Sequence, residues 1–191
     1  MKINYPFPNS NEKKTSQIKT YGMLFENALN QSNEYYRTKD IAYIYKKPTP
    51  IQVVKVDYPS RSQAKITEAY YRTPSTTDYN GIYKGRYIDY EAKESNVNSF
   101  SFTHIFEHQI KHLIDINRHG GIAFVFIYFK TMDDAIIIDI KDFYKLYLDS
   151  INNNGRKSIS YTTAKEIGYS VKKGYAPPFD YLKVIDEVYL K

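Results

Sequence analysis

One stretch constrains the fold more than any other: Ile122-Ala123-Phe124-Val125-Phe126-Ile127-Tyr128-Phe129, which carries no charge and one hydroxyl. It is far too short to cross a bilayer. Gly120-Gly121 stops whatever helix precedes it. Apolar side chains pointing both ways need cover on both faces, so the run predicts a central, two-sided buried strand.

The rest of the chain supplies the elements around it. Gly22 to about Arg37 has Leu24, Phe25, Ala28 and Leu29 at helical spacing. Ile41–Tyr45 and Ile51–Val56 read as strands separated by Pro48 and Pro50. Asn80-Gly81 and Lys84-Gly85 are turn signals, with Ile82-Tyr83 and Arg86–Lys93 forming a hairpin. Thr103–Asn117 predicts a helix capped by Thr103. Ala135–Ile140 is a strand and Lys141–Ser150 a helix, followed by a loop at Asn152-Asn153-Asn154-Gly155. Pro177-Pro178 precedes a last amphipathic helix, about Phe179–Leu190. Together these give a mixed α/β domain around one sheet.

At 191 residues the chain fits one such domain. Residues 1–18 are polar and read as a flexible arm, leaving 19–191 as the single domain. With no cysteine, disulfides, thiolate zinc sites and cysteine nucleophiles are excluded. The start lacks the apolar core of a signal peptide and no span is long enough for a membrane, so the cytoplasm is the simplest location. Lys and Arg total 27 against 21 Asp and Glu, a net charge of +6, which suits a phosphate backbone. The 21 tyrosines offer stacking faces, although a Lys-, Asn-, Ile- and Tyr-rich composition accounts for most of them.

Residues 58–80 break the pattern. Tyr58-Pro59-Ser60-Arg61 and Thr73-Pro74-Ser75 bracket a segment with Arg61, Lys65 and Arg72 among tyrosines. It reads as a protruding excursion, and long insertions between core strands are often functional.

The chemistry concentrates at Asp78 and at Glu91-Ala92-Lys93. Residues two apart in a strand share a face, so Glu91 and Lys93 project together. A carboxylate and an ammonium at a strand end suit phosphodiester hydrolysis: the carboxylate helps hold Mg²⁺, and the lysine orients water and steadies phosphate charge. Asp78 supplies the second anionic ligand. The Thr76 hydroxyl and the Gln109 side-chain oxygen extend a partial cage, with the Ala92 carbonyl as a further donor. On spacing alone, a solvated strand face bearing a surface ion pair explains Glu-x-Lys equally well. Glu26 is either near such a metal or on a solvated helix face. His104, His108 and His112 share a helix face, either as a zinc set or as unrelated side chains, and His108 or His112 could sit near phosphate. Asp133-Asp134 reads as a turn, Glu94 as an outer or exposed group, and Lys172-Lys173 as a solvated pair.

The longer sequence around the site resembles the RecU family of Holliday junction resolvases. The resemblance rests on Thr73-Pro74-Ser75-Thr76-Thr77-Asp78-Tyr79-Asn80-Gly81 and Tyr87-Ile88-Asp89-Tyr90-Glu91-Ala92-Lys93-Glu94. Asp40-Ile41-Ala42, Lys46-Lys47-Pro48-Thr49-Pro50, Glu68-Ala69-Tyr70, His108-Gln109, Phe129-Lys130-Thr131 and Asp180-Tyr181-Leu182-Lys183 extend it from about Gly22 to near the C-terminus. It implies a restriction-endonuclease-like core, a mixed central sheet flanked by helices, with a stalk insertion at about 57–80. It implies a homodimeric endonuclease that cuts opposed strands of four-way junction DNA in recombination and repair, using Mg²⁺ or Mn²⁺ and leaving 5′-phosphates. Thr76, Asp78, Glu91 and Gln109 would be metal ligands, and Lys93 the stabiliser of the transition state. Arg61, Lys65 and Arg72 would be stalk cations facing DNA, and recombinases and branch-migration proteins would be partners. The chain departs from the family at Tyr21-Gly22-Met23, where an arginine is replaced by Tyr21 with Lys19 nearby, and in a less basic N-terminal arm. The competing readings are a non-enzymatic junction-binding protein and a duplex-cutting nuclease of the same fold.

Overall fold

The computed structural model describes residues 20–72, 76–152 and 155–191. The arm expected at 1–18, Lys19, Thr73-Pro74-Ser75 and Asn153-Asn154 lie outside the described residues, as does the Tyr21 side chain. In chain order the elements are α1 (Thr20–Thr38), β1 (Tyr43–Lys46), β2 (Ile51–Asp57), β3 (Lys65–Tyr71), β4 (Tyr79–Tyr83), β5 (Arg86–Ser95), β6 (Ser99–Ser101), α2 (Glu107–Arg118) and β7 (Ile122–Phe129). They continue with β8 (Asp134–Asp139), α3 (Ile140–Asn152), β9 (Ser158–Ser160), α4 (Tyr161–Ile167), β10 (Tyr169–Ser170) and α5 (Tyr181–Tyr189). No described helix is long and apolar enough to cross a membrane.

The central sheet runs β1-β4-β5-β7-β8-β10. It is mixed: β5 and β7 are parallel, and the other neighbours are antiparallel. The apolar run is β7, in the interior as its sequence requires. Ile122, Phe124 and Phe126 enter one core with α1 and α5. Ala123, Val125, Ile127 and Phe129 enter the other, with α2, α3 and α4. Tyr90 of β5 is stacked between Tyr79 at 4.8 Å and Phe124 at 4.9 Å, a continuous aromatic contact across three strands.

Several local expectations change. Helix α2 starts at Glu107, not Thr103. Ser101 accepts from the Thr103 N–H at 3.3 Å and caps a separate short turn, Phe102–His104. The Gln109 side chain reaches back to the Phe106 N–H at 3.0 Å and so fixes the later start. Asn80-Gly81 is not a turn but part of β4. A Cβ on Gly81 would lie 2.1 Å from the Tyr43 carbonyl oxygen, so glycine here permits β1 to approach. Lys84-Gly85 is the turn, both residues having positive φ (48° and 73°) as a two-residue hairpin requires. Gly85→Ala, with open space around its Cβ, should cost about 1 kcal/mol from backbone conformation alone. A urea melt with an unchanged midpoint would contradict that.

The excursion also begins earlier than 57. Strand β2 pairs with β3 and not with the central sheet, so the protruding ribbon spans Ile51–Tyr71. All its strand residues are exposed. A two-stranded ribbon solvated on both faces is marginal alone. Its pattern of Val and Ile gave β2 a core strand's composition without a core strand's surroundings.

Candidate active site

Strand β5 aligns Asp89, Glu91 and Lys93 against Ala123, Val125 and Ile127 of β7. These β7 residues belong to the core on the α2 side, so the three charged residues face α2. The strand period and the parallel register therefore put ionic groups where apolar ones would pack. Glu91 and Asp89 are both fully buried.

Glu91 is held from two sides. Lys93 Nζ lies 2.5 Å from Oε1, and Gln109 Nε2 donates to the same oxygen at 2.7 Å. Its other oxygen, Oε2, is buried and accepts no hydrogen bond among the described residues. Burial first, and the Asp78 charge second, push the Glu91 carboxyl up to about 7, against the opposing pull of Lys93 and Gln109. Asp78 reaches the site from the segment before β4, where its Oδ2 accepts from the Ala92 N–H at 3.1 Å. The two carboxylates thus act on one another across a desolvated edge of the sheet. A buried carboxylate oxygen without a partner, repelled by a second carboxylate, fits a hard cation. Among the described residues no three His, Cys, Asp or Glu side chains form a group that could hold a metal ion.

The other expected ligands are nearby, each otherwise engaged. Thr76 is exposed, and its Oγ1 accepts from Lys47 Nζ at 3.1 Å. Gln109 meets Glu91 as a donor. Its oxygen accepts from the Phe106 N–H at 3.0 Å, so direct ligation would require the amide to turn over and release the helix start. Glu26 pairs with Lys46 at 2.7 Å on the surface. The three histidines diverge: His104 packs edge-on to Phe100, His108 stacks on Phe106, and His112 contacts Asp89 at 3.1 Å.

Glu94 faces away from the site, 4.0 Å from Lys130. Asp133 has a left-handed backbone, φ 51°, at the turn before β8. Lys172 and Lys173 are both exposed, and Lys173 is bound to Asp133 and lies 4.6 Å from the Tyr128 ring centre. Arg61 and Lys65 lie exposed at the far end of the ribbon and Arg72 at its foot. There Lys46, Lys47, Thr49, Pro50, Tyr71, Arg72 and Asp78 line a cleft of about 370 Å³. Arg61 and Lys65 therefore stand apart from the acidic cluster, whereas Arg72 shares this cleft with Asp78.

Asp89 was not singled out by spacing, and neither was Lys47. Asp89 accepts from Lys47 Nζ at 2.8 Å, from the Tyr87 hydroxyl at 3.1 Å and from the Thr77 hydroxyl, besides its contact with His112. Burial raises its pKa, but the contacts with His112, Lys47 and Thr77 outweigh that and hold it below the usual carboxylate range. The period-two pattern Asp89, Glu91, Lys93 was a legible signal for it.

The family model of recombination protein U (RecU) matches residues 20–187. A protein named Holliday junction resolvase RecU from Bacillus cereus (strain G9842) is 45% identical over 199 residues, covering 99% of each chain. Its namesake from Bacillus thuringiensis (strain Al Hakam) is 46% identical, again over 99% of each. Among solved structures, Hjc of Archaeoglobus fulgidus, a Holliday junction resolvase, aligns with a TM-score of 0.45 and 12% identity, covering 78% of this chain and 95% of that one.

Proposed function

Because the chain belongs to the RecU family, whose named members are Holliday junction resolvases, we propose that it resolves four-way DNA junctions by paired, metal-dependent strand cuts. It is an endonuclease on a mixed α/β core of the restriction-endonuclease-like kind. The observation that carries the metal-dependent reading is the buried, unpartnered Oε2 of Glu91 beside Asp78. Asp78 and Glu91 would hold the cation, with Thr76 as a hydroxyl ligand. Gln109 would contribute by fixing Glu91 Oε1, which leaves Oε2 free. Mg²⁺, or Mn²⁺ in its place, would acidify a water and polarise the scissile phosphate.

The chain's own groups do the rest. Lys93 brings an ammonium to the same edge, close to Glu91 and partly open to solvent, where it orients the attacking water and steadies charge on the phosphate. Attack in line with the leaving 3′-oxygen gives 5′-phosphate and 3′-hydroxyl ends. Arg61, Lys65 and Arg72 bind backbone phosphates along the ribbon. The described residues of one chain carry one such site, so two opposed cuts require a homodimer. The enzyme acts in recombination and repair in the cytoplasm, where recombinases and branch-migration proteins are its partners.

With Mg²⁺, a synthetic four-way junction should be cut in symmetric pairs and its products should ligate without kinase treatment. Linear duplex of the same sequences should be cut far more slowly. Equal cutting of both would replace the resolvase reading with a duplex nuclease. Junction binding without any metal-dependent cutting would leave a binding protein.

A further inference from the structure

We propose that Lys47 is a positioning residue. With Asp89 it clamps the Thr76–Asp78 segment onto β5 and α2 at the foot of the stalk, and so sets the geometry in which Asp78 and Glu91 take up a divalent cation. This rests on the reading of those two carboxylates as metal ligands.

Lys47 grips the segment twice. Its backbone N–H donates to the Asp78 carbonyl at 2.8 Å. Its Nζ donates to Thr76 Oγ1 at 3.1 Å, Thr77 Oγ1 at 2.5 Å and Asp89 Oδ2 at 2.8 Å. Those three acceptors use all three ammonium protons, and only 14% of the side chain is exposed. This lysine is therefore spent inside the protein instead of on phosphate.

Asp89, its fully buried partner, also binds the Thr77 hydroxyl, the Tyr87 hydroxyl and His112. His112 lies one helical turn beyond Gln109. One carboxylate thus ties together the end of β1, the segment carrying Asp78, strand β5 carrying Glu91, and the helix carrying Gln109.

The same place is the stalk's root. Lys47 leads through Pro48 and Pro50 into β2, and at the end of β3 the Arg72 N–H donates to the Pro50 carbonyl at 3.1 Å. A buried ion pair is weak evidence of stabilisation, but a fully hydrogen-bonded buried network rigidifies the groups it joins.

The test uses the full chain as wild type, Lys47→Met, Lys47→Arg and Asp89→Asn, each checked by thermal melting. Three quantities are measured: Ca²⁺ binding by calorimetry without cleavage, Mg²⁺ dependence of kcat on junctions, and metal-free junction binding across salt concentrations. Lys47→Met and Asp89→Asn should weaken Ca²⁺ binding and raise the Mg²⁺ half-saturation by about tenfold. High Mg²⁺ should recover most of kcat, and junction affinity and its salt slope should not change. Lys47→Arg, which keeps the charge, should recover most of the metal affinity. Unchanged Ca²⁺ affinity in both disrupting variants would overturn the clamp. So would a salt slope lowered by about one in Lys47→Met with metal affinity intact, which would make Lys47 a phosphate contact. Should Lys47→Met not fold, Asp89→Asn, which keeps the side chain's shape, decides by the same readings. A wild-type protein that neither binds Ca²⁺ nor cuts would overturn the metal-site reading beneath the clamp.

Discussion

Asp78→Asn should cut four-way junctions about a thousandfold more slowly than the wild type, a barrier increase of about 4 kcal/mol, while binding them at least as tightly. Asparagine keeps an oxygen for the Ala92 N–H, which Asp78 accepts at 3.1 Å, so the segment entering β4 stays docked. What disappears is one of two anionic charges beside the unpartnered Glu91 oxygen. Binding does not suffer, because the lost charge opposes an incoming phosphate. Single-turnover cleavage and a metal-free gel shift separate the two effects. Cutting within tenfold of the wild type would remove Asp78 from the cation site.

Glu91→Gln should be inactive yet more stable without metal above pH 7. The carboxyl is raised from about 4.5 to about 7, chiefly by burial and then by Asp78. Its folded pKa exceeds its unfolded one, so between those values the native state binds more protons than the unfolded state. Stability is therefore full below about pH 4.5 and declines as pH rises through about 7. Glutamine removes that decline. It also leaves Lys93 without its 2.5 Å partner, which limits the gain at pH 8. For a chain of this size each kcal/mol of that gain raises Tm by about 2–4 °C. Urea melts of both proteins at pH 5 and pH 8 check this. A wild type no less stable at pH 8 than at pH 5, relative to Glu91→Gln, would mean that the carboxyl is not raised. A divalent cation should stabilise the wild type and not the variant.

Asp89 and Glu91 bury charge where packing alone would favour apolar side chains. An apolar pair in their place would continue the packing that Ala123, Val125 and Ile127 begin. The chain instead buries charge at the edge of the sheet and holds it with Lys93, Gln109, Lys47 and His112. Such sites are where consistent local patterning is expected to fail.

Much of this was legible along the chain, because some physical requirements are local. The run Ile122–Phe129 could only be an interior strand, since both of its faces need apolar cover. Lys84-Gly85 could turn the hairpin because the required positive φ belongs to those two residues. The alternation of β5 set Glu91 and Lys93 on one face before any partner was known. Other features depend on what lies opposite. The composition of Ile51–Asp57 suits a core strand, yet that strand pairs only with Lys65–Tyr71 and stands in solvent. Gly81 looked like a turn because its real constraint, the Tyr43 carbonyl, lies on another strand. Gln109 as a donor, and Lys47 with Asp89 as a clamp, join residues far apart in the chain. By itself the sequence determined the sheet's centre, the hairpin and the shared face of Glu91 and Lys93, because periodicity and backbone conformation are properties of neighbouring residues. Only the tertiary structure decided which oxygen of Glu91 is free and which cation holds the Asp78 segment. Burial and hydrogen bonding depend on the groups that folding brings across from elsewhere.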